Sequence, residues 1–343
     1  MNILINGFTG GTVPPQEYGG IERVNAFLVK GLQELGYDPV LLCREGSTIN
    51  CRKLMFSTPL PGDGHKMLTA AETHYGHFDI LHDSSCNGLL LNTFRQSHPV
   101  FWTVHGPGLN DGLTAYLSKG STYKHDRERS DNLPHTYLGL DLSLYNPCYD
   151  KDNYILFIGQ AKRHKYLHYF TAVAKAHGLC AIVIAPKDGM DADYLWENFK
   201  EYPFAWIPGA DDATKCRYIR KAKCIVHCSE DKTWADASPV AILESLALGT
   251  PVIGNYSGGI PEMIQHGITG FLVNNEAEAI QAYSNINQIK PPACRQYMEE
   301  QRNHLIFAKR MLVIYKALAN LPYAERCVKI RTLQLMIDEV TNV

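Results

Sequence analysis

The stretch from Ala235 to Val273 holds the residues best suited to chemistry. Asp236 and Glu244 stand eight positions apart, with Ser238-Pro239 between them. Proline at a first helical position marks a helix start, so the spacing predicts Asp236 on a loop and Glu244 within the following helix. Two carboxylates so placed can address two parts of one elongated, polyhydroxylated ligand, because each accepts several hydroxyl hydrogen bonds. On their own they read as a solvated acid and a helix-surface glutamate. Further on, Gly258-Gly259-Ile260 leads into Pro261-Glu262, which reads as the first turn of a helix whose N-terminal amides suit an anion.

Three more places carry reactive or anion-binding residue types. The first predicted strand, Ile3-Leu4-Ile5, runs into a glycine-rich loop that ends at Tyr18-Gly19-Gly20-Ile21-Glu22, the start of a helix. Glycines there let backbone approach a ligand, although the string is neither a dinucleotide fingerprint nor a P-loop. His105 follows the strand Val100–Val104 and precedes glycines, which places it at a strand end. His82 ends another strand, and its expected role is acceptor-side or structural. The segment Lys119 to Arg129, with Lys124 and Arg127, is interrupted by Asp126 and Glu128 and reads as a solvated loop that can still contact an acceptor.

The elements that must position these groups alternate throughout. Short β-rich runs such as Pro39–Cys43, Tyr154–Gly159, Ala181–Ile184, Cys224–His227 and Pro251–Gly254 are separated by helical patterns. That alternation predicts parallel sheets with crossover helices. A polar, proline-containing stretch around Tyr145–Asn153 interrupts it. The expected organisation is therefore α/β, with two Rossmann-like domains facing across a cleft. They cover residues 1–147, with 322–343 returning to the first, and residues 154–321. The region from Arg295 to the end reads as two helices parted near Asn320-Leu321-Pro322. A ligand site is expected at the carboxyl ends of the strands.

With 343 residues, 45% of them apolar, the chain can build two cores, which excludes a disordered or fibrous class. A net charge of -2 counts against a general nucleic-acid binder. Ten scattered cysteines show no disulfide framework, and no apolar run is long enough for a signal peptide or a spanning helix, so a cytoplasmic location is expected. Cys224 and Cys228 alternate onto one strand face with Val226, as core residues do, and no metal site is read there. Asp191-Ala192-Asp193 reads as acidic capping of a helix start.

Taken together, these motifs resemble the family 4 retaining glycosyltransferases of GT-B architecture over most of the chain. Gly19-Gly20-Ile21-Glu22-Arg23 is similar to the family's N-terminal glycine loop, and Leu138-Gly139-Leu140-Asp141 with Tyr145-Asn146-Pro147 to its segment before the interdomain linker. Ile158-Gly159 with Lys165, six residues after the glycine, resembles its glycine-arginine-lysine element. Asp236 to Glu244 falls on its two-glutamate motif and Gly258-Gly259 to Glu262 on its glycine-glycine-glutamate turn.

The resemblance implies transfer of a sugar from a nucleoside diphosphate sugar, UDP-linked by default, to a hydroxyl acceptor, with retention, no cofactor and no catalytic metal. It gives Lys165 the diphosphate, Gly258, Gly259 and Ile260 amides the phosphates or donor sugar, Glu244 the ribose, and Asp236 the transferred sugar. His105 falls near the reacting centre, with Lys165 and Asp236 as catalytic partners. Gly19, Gly20, Gly159 and Gln160 border the donor. The sequence departs from the pattern at Gln160, where an arginine is usual, at Asp236 for glutamate, at Tyr166 for glycine and at Leu138 for asparagine. Lys162 or Arg163 can replace the arginine from the same loop. Two alternatives stand beside this reading: a phage-type DNA glycosyltransferase acting on a modified base, and a catalytically degenerate nucleotide-sugar-binding partner.

Overall fold

The computed structural model describes residues 1–7, 10–16, 19–57, 64–105, 113–117, 133–187, 191–230 and 235–340. The chain divides into two compact units, Met1–Asp141 with Arg302–Val343, and Leu142–Gln301.

The first unit is built on a six-stranded parallel sheet. Its strands are β1 (Ile3–Asn6), β2 (Val40–Arg44), β3 (Arg52–Phe56), β4 (Ile80–Asp83), β5 (Val100–Val104) and β6 (Thr114–Tyr116), in the order β3-β2-β1-β4-β5-β6. Helices α1 (Gly20–Glu34), α2 (Gly64–Tyr75) and α3 (Leu89–Phe94) lie between strands. β1, β4 and β5 are buried along their whole length, as expected of parallel strands covered on both faces.

The second unit repeats the same topology. β7 (Tyr154–Ile158), β8 (Cys180–Ala185), β9 (Ala205–Pro208), β10 (Cys224–His227), β11 (Val252–Asn255) and β12 (Gly270–Val273) are arranged β12-β11-β10-β7-β8-β9. Between them run α4 (Leu167–His177), α5 (Ala192–Glu201), α6 (Asp212–Lys221) and α7 (Val240–Ala247), followed by α8 (Glu276–Ser284) and α9 (Pro291–Gln301). In each sheet the order reverses at one place, between β1 and β4 and between β7 and β10. Such switch points leave a crevice outside the carboxyl ends of the strands, where ligands of open α/β sheets bind.

The two-domain α/β class is as expected, but the boundaries differ from those read in the sequence. The return to the first unit begins at Arg302, not at residue 322. Asn303 is the reason for the break: its side chain accepts a hydrogen bond from the Ile306 amide at 2.9 Å and caps α10 (His304–Leu318). Leu140 then clasps this turn from both sides, donating to the Arg302 carbonyl and accepting from the His304 amide, each at 2.8 Å. A side chain at Gly139 would collide with the Asn303 carbonyl, so glycine is required for that approach. Two shorter helices, α11 (Tyr323–Lys329) and α12 (Gln334–Glu339), complete the tail in place of the single helix expected there.

Residues 142–147, read as the end of the first domain, and 148–153, read as lying between the domains, belong with the second unit. Arg295 on α9 donates to the Tyr145 carbonyl at 2.6 Å and to the Ala247 carbonyl at 3.1 Å, which fastens the segment down.

Candidate active site

The second switch point gathers residues that lie far apart in the sequence. After β7, Gly159 and Gln160 lead into a 3-10 turn, Arg163–Lys165. After β10, the chain continues past Ser229 to Asp236, ahead of α7. After β11, Ser257-Gly258-Gly259 forms a tight turn into a second 3-10 turn, Ile260–Glu262. All three meet at Asp236.

The Asp236 carboxylate is held at both oxygens. Lys165 Nζ donates to Oδ1, and His227 Nε2 donates to Oδ2 at 3.0 Å. Burial pushes the carboxyl up, but the Lys165 ammonium and the His227 hydrogen bond outweigh it and hold it well below the usual carboxylate range. The backbone is fixed as well: the Asp236 amide reaches Ser229 Oγ at 3.4 Å, and its carbonyl accepts from the Gly259 amide at 2.8 Å. Gly258 adopts a left-handed φ of 51°, and a Cβ there would run into the Asp236 carbonyl, so both conformation and space demand glycine.

These contacts correct one part of the sequence reading. The amides of Gly259 and Ile260 are not presented to an anion, because Asp236 and Ser257 carbonyls already accept from them. The segment after Gly259 is a single 3-10 turn, not a helix start, since Ile260–Glu262 ends at Met263.

Glu244 lies inside α7, as its spacing from Asp236 predicted, but it is buried and not on the helix surface. Its Oε1 accepts from Lys215 Nζ at 2.7 Å and from the Tyr145 hydroxyl at 3.1 Å. Pro239 takes the cap position, one place before the helix.

Arg163 is committed elsewhere. Its guanidinium contacts Glu197 at 3.2 Å and Asp191 at 3.4 Å, and lies over the Tyr194 ring. Tyr166, where glycine was expected, has a left-handed φ of 43° and stacks on Tyr169 with ring centroids 5.8 Å apart. Asp191 caps α5 by accepting from the Tyr194 amide at 2.9 Å, as read from the sequence. Cys224 and Cys228 are buried and burial raises both thiols, while His227 points from the opposite strand face to Asp236.

The remaining site candidates belong to the first unit. His105 follows β5 and pairs through Nε2 with Ser84 Oγ at 2.7 Å, and burial lowers its pKa to about 4. Gly19 and Gly20 open α1, where Glu22 in the first turn accepts from the Gly11 amide at 3.2 Å. His82 takes no acceptor-side role: it is 1% exposed, with Nε2 on Thr103 Oγ1 at 2.7 Å and Nδ1 on the Tyr315 hydroxyl at 2.8 Å. It stacks on Phe101 as a core residue. Lys124 and Arg127 lie outside the described residues.

Sequence reasoning missed His227, Lys215 and Tyr145 as partners of the two carboxylates. Strand alternation alone points His227 away from Cys224 and Cys228, at the carboxyl end of β10, and was the one available signal. Nothing in the sequence marks Lys215, which comes from another helix.

Comparison with known proteins bears on the fold and on the second half of the chain. Residues 146–304 match the family model described as "Glycosyl transferases group 1". Over 45 residues, 13% of this chain and 11% of the relative, the sequence is 42% identical to the amylovoran biosynthesis glycosyltransferase AmsK of Erwinia amylovora. The chain thus spans about a tenth of the length of that curated relative. Among solved structures, AviGT4, a glycosyltransferase of avilamycin A biosynthesis, superposes with TM-score 0.74 at 20% identity, over 93% of this chain and 98% of that one. Anabaena HepE in complex with UDP-glucose gives TM-score 0.69 at 14% identity, over 93% and 100%. No helix of the described residues is long and apolar enough to cross a membrane. The chain has the two-domain α/β architecture of these glycosyltransferase structures, and the segment similar to the group 1 glycosyl transferase model lies almost wholly in its second unit.

Proposed function

We propose that the protein is a retaining glycosyltransferase that moves a sugar from a nucleoside diphosphate sugar, UDP-linked by default, to a hydroxyl of an acceptor. The observation that carries this reading is the convergence of Lys165, Asp236 and the Gly258 turn at the switch point of the second sheet, inside the segment matched by the family model. The complex of HepE with UDP-glucose supports a uridine nucleotide in the same architecture.

In this reading Lys165 carries the neutralising charge. As the bond between the sugar and the phosphate oxygen breaks, negative charge grows on the departing diphosphate, and a preorganised ammonium lowers the barrier. Lysine carries its three N–H donors on a flexible stem, so the ammonium can turn from Asp236 Oδ1 to a phosphate oxygen. Asp236 accepts from hydroxyls of the transferred sugar. Glu244 binds the ribose, its position set by Lys215 and Tyr145. No metal takes part. A cytoplasmic location belongs to the same reading.

A melting panel with UDP, GDP and ADP tests the donor site. The matching nucleotide at 100 times its dissociation constant should add about 2.7 kcal/mol of stability. Lys165→Ala should weaken that nucleotide about 10-fold or more, the loss of a charge-assisted contact. Asp236→Asn should lower turnover more than nucleotide affinity, and Glu244→Gln should weaken ribose-containing ligands. Absence of stabilisation by all three nucleotides would overturn the reading.

A further inference from the structure

We propose that His227 is a positioning residue for the transfer reaction, holding the Asp236 carboxylate in place when the Lys165 ammonium turns toward an anionic ligand. This rests on the reading of the donor site above.

The geometry isolates the need. The backbone of Asp236 is anchored at both its amide and its carbonyl, by Ser229 and Gly259. Among the described residues its side chain has two holders, Lys165 on Oδ1 and His227 on Oδ2. Lys165 sits on the other loop and must serve the diphosphate. The terminal torsion of aspartate is broad, so a carboxylate released on one side rotates unless the other oxygen is retained. His227 is suited to retain it. It ends a central strand, its side chain is 5% exposed, and its register opposite Gly254 is fixed by the sheet.

The ring also has one defined orientation. Nε2 donates to Asp236, while Nδ1 is buried with no hydrogen-bond partner among the described residues. A bare Nδ1 tolerates that better than a buried N–H would, so the network assigns the proton to Nε2. His227 stands behind the carboxylate and acts through it.

Two arms test the assignment. Crystal structures of the full chain as Lys165→Met and as Lys165→Met with His227→Leu ask whether the imidazole alone holds the carboxylate. Asp236 should keep its rotamer in the first and leave it in the second. An unchanged rotamer in both, or a carboxylate already displaced in the first, would overturn the proposal.

The second arm measures UDP-glucose hydrolysis and UDP affinity. His227→Leu should lower kcat about 10-fold with little change in UDP affinity, and His227→Gln, which keeps an N–H donor, should recover most of it. Equal losses in kcat and affinity, wild-type kcat in His227→Leu, or no recovery with His227→Gln would contradict it. If His227→Leu does not fold, His227→Gln and the Lys165→Met structure still decide. Failure of the donor reading is separate: wild-type protein would bind none of UDP, GDP or ADP, whatever the crystal structures give.

Discussion

His82 and His105 neighbour one another in the first unit, and burial dominates both. His82 falls to about 3, by burial first and by the His105 ring second; His105 falls to about 4 by burial. Both imidazoles are therefore neutral at physiological pH, and His105 can pass a hydrogen bond to Ser84 without carrying charge. The linkage has a definite sign. The unfolded histidine titrates near 6.5, so the stabilising difference is complete above that pH and is lost as pH falls toward the folded values. For fully buried His82 the slope approaches about 1.4 kcal/mol per pH unit. Urea midpoints measured from pH 7 to pH 5 should fall in wild type and fall less steeply in His82→Gln. Parallel slopes would contradict the assignment. That His82 is a core residue was not legible from its strand-end position, because its partner Tyr315 comes from α10, 233 positions away.

Among the elements, the turn between β7 and α4 is where this chain departs most plainly from the glycosyltransferase pattern. Tyr166 stands in the left-handed region, where a side chain costs about 1–2 kcal/mol and glycine costs nothing comparable. Stacking on Tyr169 offsets part of that. Tyr166→Gly and Tyr166→Val both forfeit the stack, so the difference between them isolates the backbone. The glycine variant should exceed the valine variant by at least about 1 kcal/mol in denaturant unfolding, and equal stabilities would contradict the account. β-branched runs made most strands readable, β10 and β11 among them. β3, Arg-Lys-Leu-Met-Phe, and the three-residue β6 escaped notice because edge strands need neither alternation nor length. Lys165, Asp236 and the Gly258 turn were legible through their order along the chain. The pairings that complete the site, His227 to Asp236 and Lys215 to Glu244, depend on tertiary packing that no local spacing records.

On the scale of the whole molecule, one topology is used twice, and the chain crosses to the second unit once and returns once. The return at Arg302 depends on close backbone contact between Gly139 and Asn303, a tertiary requirement that the helical periodicity of the tail conceals. Repetition of the α/β theme made the architecture readable; the placement of its seams was not. The second switch point bears the central claim, that a diphosphate leaves from beside Lys165. The most direct measurement is a crystal structure of the full chain with UDP bound. The account predicts a phosphate oxygen about 3 Å from Lys165 Nζ, next to the Gly258 turn, with Asp236 still on His227. UDP bound elsewhere, with Lys165 out of hydrogen-bond reach of either phosphate, would contradict it.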